Sequence, residues 1–125
     1  YLDSSALAKL VVFEPETPAL RDAIRHRSIA TSQVAVVEVA KAVGRAAPEA
    51  DPGRILSQVT ILAFDASVAA LASVTGGPAL RSLDAIHVAT AVLLGADLER
   101  FITYDLRQAD AARAAGLRVD APGAA

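Results

Sequence analysis

Short apolar runs along this chain alternate with longer amphipathic ones, a pattern that predicts strands separated by helices. Tyr1-Leu2 has the character of a strand end whose start is expected upstream. After Asp3, Ser4 or Ser5 can cap a helix through Ala6-Leu7-Ala8-Lys9-Leu10. Thr17-Pro18 opens a second helix, with threonine as cap and proline in the first turn. Ser28-Ile29-Ala30-Thr31 predicts a short strand. Val34, Val37, Ala40 and Val43 then provide one apolar helical face, with Glu38 inside that helix.

Asp51-Pro52 opens another helix by the same capping logic. Val59-Thr60-Ile61-Leu62-Ala63-Phe64 is β-rich, and Asp65 caps a helix ending before Gly76-Gly77. Ser82 precedes a helix from about Leu83 to Leu94, terminated by Gly95 and carrying Asp84 in its first turn. Phe101-Ile102-Thr103-Tyr104 predicts a strand. Asp105 ends it and caps the helix that stops at Gly116, and Leu117-Arg118-Val119 makes a last short strand. Such an order needs crossover connections, so the expected fold is a three-layer α/β/α sandwich around a mainly parallel sheet. Ligands of such sheets bind beyond the carboxyl ends of the strands, where Asp3 and Asp105 stand.

A length of 125 residues supports one hydrophobic core, and a hydrophobic content of 54% favours a packed globule. Only the Ala/Gly/Pro-rich residues 121–125 read as a flexible tail. The absence of cysteine removes disulfides, thiolate metal sites and a cysteine nucleophile, and leans towards a reducing compartment. No signal peptide or membrane span is recognisable, so a cytoplasmic location without a membrane partner is expected. A net charge of −2 argues against holding nucleic acid by bulk electrostatics. Bound cations and a few arginines at a site's rim can supply positive charge locally.

Most acidic residues fall in turns or on polar faces, but four do not. Glu38 lies in Val34-Ala35-Val36-Val37-Glu38-Val39-Ala40, where a carboxylate is costly unless it is paired, hydrated or metal-bound. Its ordinary alternative is a narrow polar stripe through Lys41 and Arg45, with Lys41 as partner. Asp84 occupies a similarly apolar run, with a favourable helix-dipole position as its alternative. Asp3 and Asp105 have capping alternatives. Asp65 shares the local pattern, but an edge strand would hold it away from the others, so it is read as a cap. His87 follows Asp84 by one helical turn and can hydrogen-bond it, or serve as a structural core residue. Ser5 and Thr103 can support a carboxylate or a metal-bound water. Four converging carboxylates would raise at least one pKa by mutual repulsion, a conflict that Mg²⁺ or Mn²⁺ resolves with oxygen ligands.

Taken together, these segments resemble the PIN-domain family, specifically VapC-like toxins of toxin–antitoxin pairs. The resemblance rests on Tyr1 through Lys9, Ser32 through Val43, Leu83 through Ala91, and Thr103-Tyr104-Asp105 with Ala111-Ala112-Arg113 and Gly116-Leu117. It implies a PIN-like nuclease domain over residues 1–120 with strand order 3-2-1-4-5. It assigns the catalytic, metal-holding acids to Asp3, Glu38, Asp84 and Asp105. It also implies endoribonuclease activity with Mg²⁺ or Mn²⁺, a VapB-like antitoxin and a homodimer. With no Trp, two Tyr and three Phe, base stacking offers little, so RNA shape and backbone contacts are expected to set specificity. Two rivals remain: an aspartate-based phosphatase with Asp3 as nucleophile, and a receiver-like binding module with a regulatory acidic pocket.

Overall fold

Parallel strands of two or three residues stand among seven α-helices in the computed structural model, which describes residues 1–125. Strand β1 (Ala30–Ser32) pairs with β2 (Thr60–Leu62), and β3 (Phe101–Ile102) with β4 (Val119–Asp120), both pairs parallel. Leu2 contacts both pairs. It forms a parallel bridge with Ile102, and its N–H donates to the Ala30 carbonyl at 3.0 Å. Thr31 Oγ1 also donates to the Leu2 carbonyl at 2.7 Å.

Successive strand residues point to opposite faces, and this separates the core into two parts. Leu2 and Ile102 pack with Leu7 and Leu10 of α1 (Ser4–Val11), Leu20 of α2 (Thr17–Ile24), and Val39 and Val43 of α3 (Val34–Ala46). Tyr1 and Phe101 pack instead with Val88 and Ala91 of α6 (Ser82–Leu93) and Ala112 of α7 (Leu106–Ala114). Helices therefore cover both faces of an α/β fold. The remaining helices are α4 (Gly53–Leu56) and α5 (Ala66–Ala72), and α5 packs on α6. No helix is long and apolar enough to cross a membrane.

Several local expectations are corrected. The cap of α1 is Asp3 rather than Ser4 or Ser5: its Oδ1 accepts from the Ala6 N–H at 3.0 Å. Thr17 begins α2 instead of capping it, because its hydroxyl donates to the Lys9 carbonyl and accepts from the Glu14 N–H. The buried side of α3 is Ala35, Val39 and Val43, whereas Val37 is 62% exposed. That rotation turns Glu38 towards α1 and α6, as its hydrogen bonds show. Asp65 and Asp105 do cap α5 and α7, accepting from Val68 N–H and Gln108 N–H. In residues 121–125, the Pro122 carbonyl accepts from the Tyr104 hydroxyl at 2.8 Å.

Candidate active site

Asp3 leaves the Leu2 bridge with its carboxylate almost fully enclosed, at 1% exposure. Oδ1 accepts from Ser5 Oγ at 2.7 Å and from the Ala6 N–H, and Oδ2 accepts from Thr103 Oγ1 and from Gln108 Nε2 at 3.1 Å. Both hydroxyls singled out in the sequence thus hold this carboxylate. Ser5 Oγ also accepts from the Tyr104 N–H and Thr103 Oγ1 from the Asp105 N–H, which binds α1 to the loop after β3. Burial raises the Asp3 pKa, against the lowering effect of hydrogen bonds from Thr103, Ser5 and Ala6. Like-charge repulsion, the cause expected from the sequence, is not what raises it.

Asp84 enters from the first turn of α6, also buried, with Oδ1 3.4 Å from the same Gln108 amide nitrogen. Arg81, at the N-cap of α6, donates from Nε to Asp84 Oδ2 at 2.8 Å and from an Nη to Asp105 Oδ2 at 3.1 Å. One uncharged amide therefore joins Asp3 to Asp84, and one guanidinium joins Asp84 to Asp105. Residues far apart in the chain meet because the first turn of α6, the loop after β3 and the start of α1 share one edge of the strands.

Glu38 stands to one side, held by a separate chain of hydrogen bonds. Ser4 Oγ donates to its Oε1 at 2.6 Å, His87 Nε2 lies 2.6 Å from the same oxygen, and His87 Nδ1 lies 2.6 Å from the Tyr1 hydroxyl. Burial, followed by the nearby Asp3 charge, pushes the Tyr1 hydroxyl pKa well above its ordinary value. Tyr1 thus keeps its proton and can donate to Nδ1, leaving Nε2–H to donate to Glu38. Although burial pushes the Glu38 carboxyl upward, the hydrogen bonds from His87 and Ser4 and the charge of Arg81 hold it below its ordinary value. His87 bonds Glu38 rather than Asp84, and Glu38 pairs with His87 rather than Lys41.

The four acids, with Ser5 and Thr103, present oxygen donors only, the set that suits hard divalent ions. As folded, no three of the acids and histidines close into a ligand cluster. Between Asp84 and Asp105 the positive charge is supplied by Arg81, whose side chain is 58% exposed to solvent. The donor chemistry therefore fits such an ion, with Arg81 holding cationic charge where two acids face each other. Replacing Arg81 with Ala should lower the melting temperature in chelator and enlarge the rise that Mn²⁺ produces. Thermal unfolding under both conditions reads this, and an unchanged Mn²⁺ response would show that Arg81 and the ion do not share the acids.

A groove of about 450 Å³ adjoins Glu38 between α1 and α3, with Ser4, Ser5, Lys41, Arg45 and Leu83 among its walls. Arg81 and Gln108 were not among the candidates read from the sequence, and His87 is the buried residue that was one of its two readings, bonded to Glu38 and not to Asp84. Only Gln108 had a local signal, since it lies three residues after the Asp105 cap, where a glutamine often completes a capping box.

Compared with known proteins, residues 1–114 match the family profile described as the PIN domain. Ribonuclease VapC46 of Mycobacterium tuberculosis is 46% identical over 126 aligned residues, covering 98% of this chain and 96% of that protein. Ribonuclease VapC35 of the same species is 41% identical, covering 100% and 98%. Ribonuclease VapC47 is 38% identical, covering 99% and 97%.

Proposed function

The chain belongs to the PIN-domain family, and from that membership we propose that it is a metal-dependent endoribonuclease, the toxin of a VapBC-type toxin–antitoxin pair. The observation that carries the proposal is the joining of Asp3, Asp84 and Asp105 through the Gln108 amide and the Arg81 guanidinium. The relatives named ribonucleases align over nearly the whole chain, which supports RNA as substrate.

In this reading Asp3, Glu38, Asp84 and Asp105 hold Mg²⁺ or Mn²⁺, directly or through water. When bound, the ion would activate water and stabilise charge on the attacking and leaving oxygens of an in-line displacement. Asp3 is kept in one orientation by Ser5 and Thr103, and Glu38 by Ser4 and His87. Displaced from its acids, Arg81 becomes available to an RNA phosphate, for which a guanidinium is well shaped.

The same reading takes the two strand pairs and Leu2 as one sheet in a three-layer sandwich, ordered β2, β1, the Leu2 segment, β3, β4, which is 3-2-1-4-5 when the Leu2 segment counts as strand 1; the contacts of Leu2 on both sides support it. Residues 1–120 would form the nuclease domain, and the reaction would be cytoplasmic. A VapB-like antitoxin would present an arginine to the acids, a geometry for which Arg81 is an internal precedent. Exposed Val36, Ile61 and Phe64 are compatible with a homodimer. The phosphatase and receiver-like readings are not favoured. Ser5 stands where a phosphatase would want its second acid, and Lys9, one of only two lysines, is engaged by Glu14 and Glu16.

The deciding experiment is RNA cleavage by purified protein in Mg²⁺, Mn²⁺ and chelator, beside Asp84→Asn. Cleavage that needs the ion and falls by about 100-fold or more in the variant supports the proposal, since even outer partners of a metal site contribute roughly 10–100-fold. Near-normal turnover by Asp84→Asn would remove that residue from the site.

A further inference from the structure

Gln108 begins as an ordinary helix residue. Its N–H donates to the Asp105 cap at 3.0 Å, and in a capping box its side chain would return to the Asp105 N–H. That N–H is already taken by Thr103 Oγ1. The amide instead turns inward, at 3% exposure, and lies between the Asp3 and Asp84 carboxylates. Its nitrogen has two hydrogens and two acceptors, Asp3 Oδ2 at 3.1 Å and Asp84 Oδ1 at 3.4 Å. Charge fixes this orientation, because the flipped amide would set its oxygen against two carboxylate oxygens.

The other end of the amide is the second observation. Gln108 Oε1 is the one buried side-chain polar atom left without a hydrogen-bond partner. A buried acceptor next to a cluster of acids is costly unless something donates to it. The charge balance points the same way. A lysine here would offset one of the two negative charges and compete with a cation, whereas an amide restrains both acids and leaves their charge intact.

We infer that Gln108 is a positioning residue of the site, with Nε2 setting the spacing of Asp3 and Asp84 and Oε1 accepting a hydrogen bond from water carried by the divalent ion. This inference rests on the metal-dependent reading proposed above, and extends it to a residue whose side chain ligates nothing itself. A merely structural glutamine would contribute to folding and be indifferent to the ion.

The test is Mn²⁺ binding, by calorimetry and electron paramagnetic resonance, to wild type and to Gln108→Met, which retains length and loses the amide. Roughly 10–100-fold weaker binding by a folded Gln108→Met is expected. Should that variant not fold, the wild type is read directly: the Gln108 side-chain amide resonances should shift on Mg²⁺ titration and saturate with the ion's own binding curve. Equal Mn²⁺ affinity in the two proteins, or amide resonances that stay still through saturation, overturns this inference alone. A wild type that binds neither ion overturns it together with the metal-dependent reading.

Discussion

Asp3→Asn should lose metal-dependent RNA cleavage by about 100-fold or more while melting at a higher temperature than wild type in chelator at neutral pH. The loss follows from removing a carboxylate assigned to the ion. The gain follows from burial, which raises the Asp3 pKa against the hydrogen bonds of Thr103, Ser5 and Ala6. A carboxyl whose folded pKa is raised binds its proton more readily folded than unfolded. Its charge therefore destabilises the fold above the raised pKa, and the penalty is relieved as pH falls towards the ordinary carboxylate range. Asparagine is neutral throughout, so its advantage should be greatest at neutral pH and shrink on mild acidification. It can still accept from Ala6 and Ser5. Thermal unfolding of both proteins in chelator across that range measures the difference. An Asp3→Asn protein that is less stable than wild type by the same margin at every pH would show that burial of the charge does not govern this site.

Phe101→Ala should cost about 3–5 kcal/mol, a large part of the roughly 5–15 kcal/mol that stabilises an ordinary domain. Phe101 is fully buried in β3, stacks on Tyr1 with ring centroids 5.2 Å apart, and packs against Val88, Ala91 and Ala112. Truncation leaves a cavity between the strands and α6. It also frees Tyr1, whose hydroxyl orients His87 towards Glu38, so cleavage should fall as well at temperatures where the variant remains folded. Leu106→Ala is the contrast: Leu106 is 82% exposed beside Asp105, and its truncation should stay within about 0.5 kcal/mol. Denaturant unfolding of the two variants reads both effects, and similar midpoints would show that the second cluster contributes little to the core.

Glu38 and Asp84 stood out in the sequence because carboxylates inside apolar runs are anomalous, and Asp3 and Asp105 because they end strands; the structure joins Asp3, Asp84 and Asp105 and holds Glu38 apart. What surrounds the acids stood out less. Arg81 lies in a mixed stretch where nothing local distinguishes a solvated side chain from one turned into a site, and the place of Gln108 after the Asp105 cap signals a capping role only. His87 illustrates the limit: Asp84 is its neighbour by helical spacing, yet its partner is Glu38, 49 positions away. The face of α3 was misread because Val34 through Val39 is apolar on nearly every side, and periodicity cannot orient such a helix. Strand ends suffered similarly. Phe101-Ile102-Thr103-Tyr104 has uniform β character, but pairing covers only Phe101–Ile102, since Thr103 and Tyr104 already serve the turn into α7. Helix starts with an aspartate on the flank were the clearest marks, as Asp65 and Asp105 show, although at Asp3 the adjoining serines drew the assignment away.

Mutual repulsion of the four acids, expected from the sequence to raise a carboxyl pKa, is not what raises Asp3, which burial raises, while Glu38 is lowered. Arg81 supplies a positive charge between Asp84 and Asp105, and Gln108 a hydrogen-bond donor between Asp3 and Asp84. Neutralising Asp84 or Asp105 therefore removes a partner of Arg81 as well as a charge, which makes Asp3 the cleaner probe of buried charge.

The most direct measurement is anomalous diffraction from crystals of this protein soaked in Mn²⁺. The expected result is a peak bounded by the carboxylates of Asp3, Asp84 and Asp105, with the Arg81 guanidinium moved off the last two. A peak elsewhere with Arg81 still bridging Asp84 and Asp105 would contradict it.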